Sequence, residues 1–141
     1  MVTYSVNYLA VVVAAIVNMV IGYIWYSPMV FGKAWMGMMG KGGKDAYGAK
    51  KKSNMPMVFG VGYVATVVMA YVLAIFIRYT GASTPLTGAM TAFWAWLGFV
   101  ATVTLGGVLW EGKPVQLYVL NAAHHLVGML AMGAVLAAWP Y

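Results

Sequence analysis

VNYLAVVVAAIVNMVIGYIWY, residues 6–26, carries no charged side chain. About 20 apolar residues are what a helix needs to cross a hydrocarbon core about 30 Å thick. Three further stretches of the same kind follow, at about 56–79, 85–110 and 114–139. Together they account for most of the 141 residues and leave no length for a separate soluble domain. The reading is a single all-α domain over 1–141, a polytopic membrane protein with four transmembrane helices.

Composition supports lipid as the solvent. The chain is 64% hydrophobic and only 7% charged, against roughly 25% charged residues in ordinary soluble domains. A net charge of +6 would suggest nucleic acid in a soluble protein. Here the lysines flank apolar runs, so anionic lipid headgroups are the expected partner and nucleic acid is not. No cysteine is present, which excludes disulfides, thiolate nucleophiles and thiolate metal sites. Residues 1–5 lack the positive charge of a secretory leader, so the first run is expected to be retained.

The starts of the runs are marked locally. Pro56, Pro85 and Pro114 stand at the heads of runs two to four, where the missing N–H has no intrahelical partner. Ser53 and Asn54 precede Pro56, and Ser83 and Thr84 precede Pro85; such side chains cap exposed helix donors.

Orientation follows from the basic residues. Lys33, Lys41, Lys44, Lys50, Lys51 and Lys52 fall in the loop at 27–55, and Lys113 lies between runs three and four. Arg78 alone lies on the other side. The positive-inside rule then puts the 27–55 loop in the cytoplasm and both termini outside the cytoplasmic membrane. Within this loop Phe31, Trp35, Met38 and Met39 recur at helical spacing, which predicts a short interfacial helix over about 28–39. Residues 40–54 are rich in glycine and lysine without periodicity. Lys50, Lys51 and Lys52 are its expected headgroup contacts.

The segment 7–35, with Gly22, Trp25, Tyr26, Ser27, Pro28, Phe31, Gly32 and Trp35, resembles the opening of a family of small bacterial integral membrane proteins catalogued as a domain of unknown function. The later runs, with Trp110, Glu111 and Asn121, are similar too. The resemblance implies a four-helix membrane unit and supplies no catalytic or binding residue. A fainter echo lies within the chain, where Gly22, Trp25 and Pro28 are matched by Gly107, Trp110 and Pro114 at the end of the third run, as a repeat of two hairpins would require.

Polar groups at depth are the remaining signal. At 1.5 Å per residue, His124 lies about 15 Å from Pro114, close to the expected midplane. The same count brings Asn18, Thr66, Trp94 and Trp96 to that depth, which predicts a polar layer with Asn18, Thr66, Trp94, His124 and His125 facing one another. An unpartnered polar group in hydrocarbon is costly. His124 and His125 are separated by about 100° around a helix, so both cannot face one point. Three roles remain open for the pair: a hydrogen-bonded packing element, a protonatable gate suited to a side chain with an ordinary pKa near 6.5, or a cofactor ligand. Asn121 lies one turn away as a supporting group.

No metal centre or cofactor is expected. Two histidines, Asp45 and Glu111 are too few and too scattered for a three-ligand zinc site. The methionines Met36, Met38, Met39, Met55 and Met57 could hold Cu(I) but read more simply as apolar filler. Glu111 beside Lys113 reads as an exposed turn pair. With no nucleophile–base constellation and no paired carboxylates, the chain is not expected to be an enzyme.

Small or polar residues recur on one face of the first run, Asn7, Val11, Ala14, Asn18 and Gly22, and on one face of the third, Thr87, Thr91, Gly98, Thr102 and Gly106, where they let helices approach closely. They point to helix association and a homo-oligomer. The functional expectation is an oligomeric transporter or channel-like protein with a polar midplane layer. The alternative is a non-catalytic accessory or scaffold subunit of a larger membrane complex.

Overall fold

A computed structural model describes residues 6–27, 29–34, 37 and 55–139. Four helices in it are long and apolar enough to cross a membrane, and no strand occurs among the described residues. Helix α1 spans Tyr8–Trp25 and α2 spans Met55–Thr80. The third span, α3, covers Pro85–Leu109 and α4 covers Val115–Ala138.

The caps explain the boundaries. Asn7 accepts the Ala10 N–H at 3.1 Å and so starts α1. Thr84 and Thr87 form a reciprocal capping box ahead of Pro85, which satisfies donors that helix geometry leaves free. Gly81 and Gly112 take positive φ, 73° and 69°, in the two short loops that reverse the chain; side chains with a Cβ rarely adopt that conformation. Among the described residues of the expected interfacial helix, 32–34 and 37 are helical. Pro28, Trp35, Met36, Met38, Met39 and the lysine-rich stretch with Lys41, Lys44, Lys50, Lys51 and Lys52 lie outside the described residues.

Helix α4 is the centre of the bundle. It packs chiefly against α3 and α1, while α2 lies mainly on α1 and touches α3 sparingly. The buried interior is small: Ala10, Ala14 and Ala15 of α1, Ala70 and Ala74 of α2, Ala92 of α3 and Ala137 of α4, with Leu73, Ile77, Met132 and Leu136 filling between them. In lipid, helices gain little from hiding apolar surface, so close backbone approach and dispersion carry the association. The tightest crossing pairs Gly88 with Gly133. A Cβ on Gly88 would strike the Gly133 carbonyl and Ala137, and one on Gly133 would strike the Gly88 carbonyl and Ala92.

The third span is not the unbroken helix that its sequence predicts. Its α-helix Pro85–Trp96 passes into a π-helical turn at Leu97–Ala101, and short helical pieces at Thr102–Thr104 and Gly106–Leu109 complete it. Threonine hydroxyls supply a local cause. Thr102 and Thr104 donate to the carbonyls of Gly98 and Val100 at 2.7 and 2.6 Å, and such back-bonding competes with and bends the helical ladder. Helix α4 holds the irregular stretch in place: Tyr118 O–H donates to the Ala101 carbonyl at 2.7 Å, and Trp96 Nε1 donates to the Ala122 carbonyl at 3.0 Å.

Candidate functional site: a histidine enclosed by the first turn

Three contacts fix the register of α1 against the antiparallel α4. Asn18 lies against Gly128, Gly22 against His124, and the Tyr26 hydroxyl donates to Asn121 Oδ1 at 2.6 Å. Extended along straight helices, this register sets Tyr8 level with about Ala138, so the two helices are flush at that end. At the other end α1 stops level with Asn121, six residues after α4 begins, a shortfall of about 9 Å.

The chain turns sharply where α1 stops. Ser27 Oγ donates to the Ile24 carbonyl at 2.7 Å, Phe31 N–H to the Trp25 carbonyl at 3.0 Å, and Gly32 N–H to the Ser27 carbonyl at 2.8 Å. A Cβ on Gly32 would fall on the carbonyls of Tyr26 and Ser27, so only glycine closes this turn without displacing it. Phe31 folds back onto Trp25 with ring centroids 4.6 Å apart.

These residues surround His124. The Tyr26 ring meets its imidazole edge-on at 5.1 Å and Trp25 lies at 6.1 Å. A Cβ on Gly22 would sit 3.0 Å from His124 Nε2. Both ring nitrogens of His124, and Nε1 of Trp25, are buried without a hydrogen-bond partner among the described residues. The two indole and imidazole groups thus form one unsatisfied polar cluster against a helix end.

A family model described as a protein of unknown function, DUF1761, matches residues 9–137. The chain belongs to the DUF1761 family. No curated protein and no solved structure matches it. In this DUF1761 chain the resemblance motif acquires a physical role: Gly22, Trp25, Tyr26, Ser27, Phe31 and Gly32 form a turn that closes over His124.

The other expected site residues are dispersed. Asn18 and Thr66 are buried and lie near each other, since the Thr66 hydroxyl reaches Met19 Sδ at 3.7 Å, but it also donates to the Gly62 carbonyl of its own helix at 2.8 Å. They occupy the level of Gly128, one turn away from His124. His125 lies beside His124 at 5.1 Å. Trp94 joins neither group: it is 64% exposed on the outer side of α3. The expected single layer is therefore a pair of buried levels on α1, α2 and α4, with α3 contributing Trp96 to a carbonyl of α4 instead. Glu111 pairs with Lys113 Nζ at 3.0 Å on an exposed turn. Trp110 is 86% exposed, whereas Trp25 packs on His124, so the two halves of the internal echo have different surroundings. Among the described residues no three His, Asp or Glu side chains come together as metal ligands.

Tyr26 and its bond to Asn121 were the part that sequence reasoning missed. The available signal was the family motif lying at the end of a run shorter than its neighbours.

Proposed function

We propose that this protein is a small homo-oligomeric transporter or channel-like protein of the cytoplasmic membrane, with His124 as its protonatable gate. One observation carries the reading: both ring nitrogens of His124 are buried without a hydrogen-bond partner among the described residues. A histidine kept only for packing gains by hydrogen bonding, and an unmet polar group inside a membrane is costly. Histidine is suited to changing charge near neutral pH. The titratable groups facing it among the described residues are Tyr26 from the end of α1 and His125 from α4.

The small, filled interior of the bundle supports a pathway between copies, not through one. Gly98, with nothing within 4 Å of a Cβ built on it, leaves an open place on α3 for a neighbouring helix. The lysine-rich loop favours a cytoplasmic position for 27–55, with both termini outside, and gives anionic headgroups a contact at Lys50, Lys51 and Lys52. No catalytic role is proposed.

The test is proton flux. Purified protein in liposomes with a trapped pH-sensitive dye should pass protons under an imposed pH gradient and potential, and His124→Gln should abolish the flux without loss of thermal stability. Equal flux with and without protein would overturn the reading. The second reading, a non-catalytic accessory subunit, is favoured by one observation: neither of the chain's two acidic residues, Asp45 and Glu111, falls at the depth where proton carriers commonly place a carboxylate.

A further inference from the structure

The indole of Trp25 has two ring neighbours. Phe31, brought back by the turn that Gly32 closes, lies at 4.6 Å, and the imidazole of His124 lies at 6.1 Å with its plane inclined by 48° to the indole. Nε1 of Trp25 and both imidazole nitrogens are buried, and none is bonded among the described residues. Tyr26 is different. Its hydroxyl is tied to Asn121, so its ring is held where it stands, whereas no hydrogen bond among the described residues fixes the indole.

The unbonded atoms are chemically matched. An indole N–H only donates; neutral imidazole has one nitrogen that accepts, and imidazolium has none. The same indole suits the neutral ring by its N–H edge and the charged ring by its face, because a ring quadrupole attracts a nearby cation. Countercharge is otherwise scarce. Glu111, the one acidic side chain among the described residues, pairs with Lys113 on an exposed turn. Tyr26 from α1 and His125 from α4 are the titratable groups that face His124. Among the described residues α2 and α3 bring it neither a ring contact nor an ion pair.

We infer that Trp25 is the positioning residue that reads the charge of His124, meeting the neutral imidazole with its N–H edge and the imidazolium with its ring face. The inference rests on the reading of His124 as protonatable and gives that gate its moving part. Gain of a proton turns the indole from edge to face at the last residue of α1, and loss of the proton turns it back. No group other than the proton enters or leaves.

The chain has two histidines, so magnetic resonance of histidine-labelled protein in micelles follows each imidazole, with His125→Gln assigning them. Trp25→Phe keeps a ring face and loses the N–H, and Trp25→Leu loses both. The phenylalanine variant should hold the His124 proton about tenfold more tightly than the leucine variant, a separation of about one pH unit between their midpoints. Equal midpoints in folded variants, or a His124 that never takes a proton in the folded protein, would overturn the inference. If thermal melting shows that either variant does not fold, tryptophan emission decides. Imidazolium quenches excited indole by accepting an electron, so emission should fall on acidification in the wild type and not in His124→Gln. The same pH dependence in both proteins would equally sink the idea. Proton flux remains a separate readout: ordered midpoints without flux support this pair and end the transport reading, and flux with equal midpoints does the reverse.

Discussion

A methyl group placed on Gly22 would lie 3.0 Å from Nε2 of His124, so the glycine of α1 and the histidine of α4 share one space. Neither residue can be enlarged without moving the other. Gly22→Val should therefore impair proton flux in liposomes as severely as His124→Gln does. Val20→Ala, on an exposed face of the same helix, should leave it unchanged.

The hydroxyl of Tyr26 gives a second handle on the site. Tyr26→Phe removes the donor to Asn121 and should cost about 1 kcal/mol of stability, the usual net worth of one hydrogen bond. Asn121→Ala should cost a similar amount, and the double variant should cost less than the sum of the two. Additive losses in thermal or denaturant melting would show that the pair is not coupled.

At the Gly88–Gly133 crossing, backbone meets backbone, and no flexible side chain can yield. Gly133→Ala should destabilise the protein by about 1 to 3 kcal/mol, the range for overpacking a tight interior. Gly60→Ala meets open space and should be neutral or slightly stabilising. Parallel melting curves in one detergent check both.

Association of copies is expected to use the open face of α3. Gly98→Leu should shift the protein to monomer in native mass spectrometry while leaving its melting temperature nearly unchanged. A wild type that is monomeric under mild detergent would remove the oligomeric proposal.

Cysteines at Ser5 and Ser53 test the orientation. In intact cells, a membrane-impermeant thiol reagent should label Ser5→Cys and spare Ser53→Cys. The reverse pattern would invert the topology.

The spans were legible because their cause is local. Apolar length places four helices, and Asn7, Thr84 and the two loop glycines set several of their ends with bonds that reach no farther than one turn. The π-helical turn at Leu97–Ala101 was not legible, because the hydroxyls of Thr102 and Thr104 act on a ladder that composition describes as continuous. Depth counting found His124 and Asn18, but it assumed that all spans begin at the same level. The shortened α1 breaks that assumption and pairs His124 with Tyr26 at a helix end. Counting also says nothing about direction around a helix, which is why Trp94 shares the depth of Ala92 closely and yet faces outward.

The early end of α1 has a consequence for which compartment the histidine answers to. His124 lies about 5 Å from the level at which α1 stops, and about 21 Å from the flush end where Ala138 closes α4. Only one turn separates it from the point where α1 gives way to the chain leading into the lysine loop, whereas nearly four turns of α4 separate it from the opposite end. For the gate proposed above, protons would therefore reach this imidazole more readily from the end where α1 stops, and its charge would follow the acidity on that side.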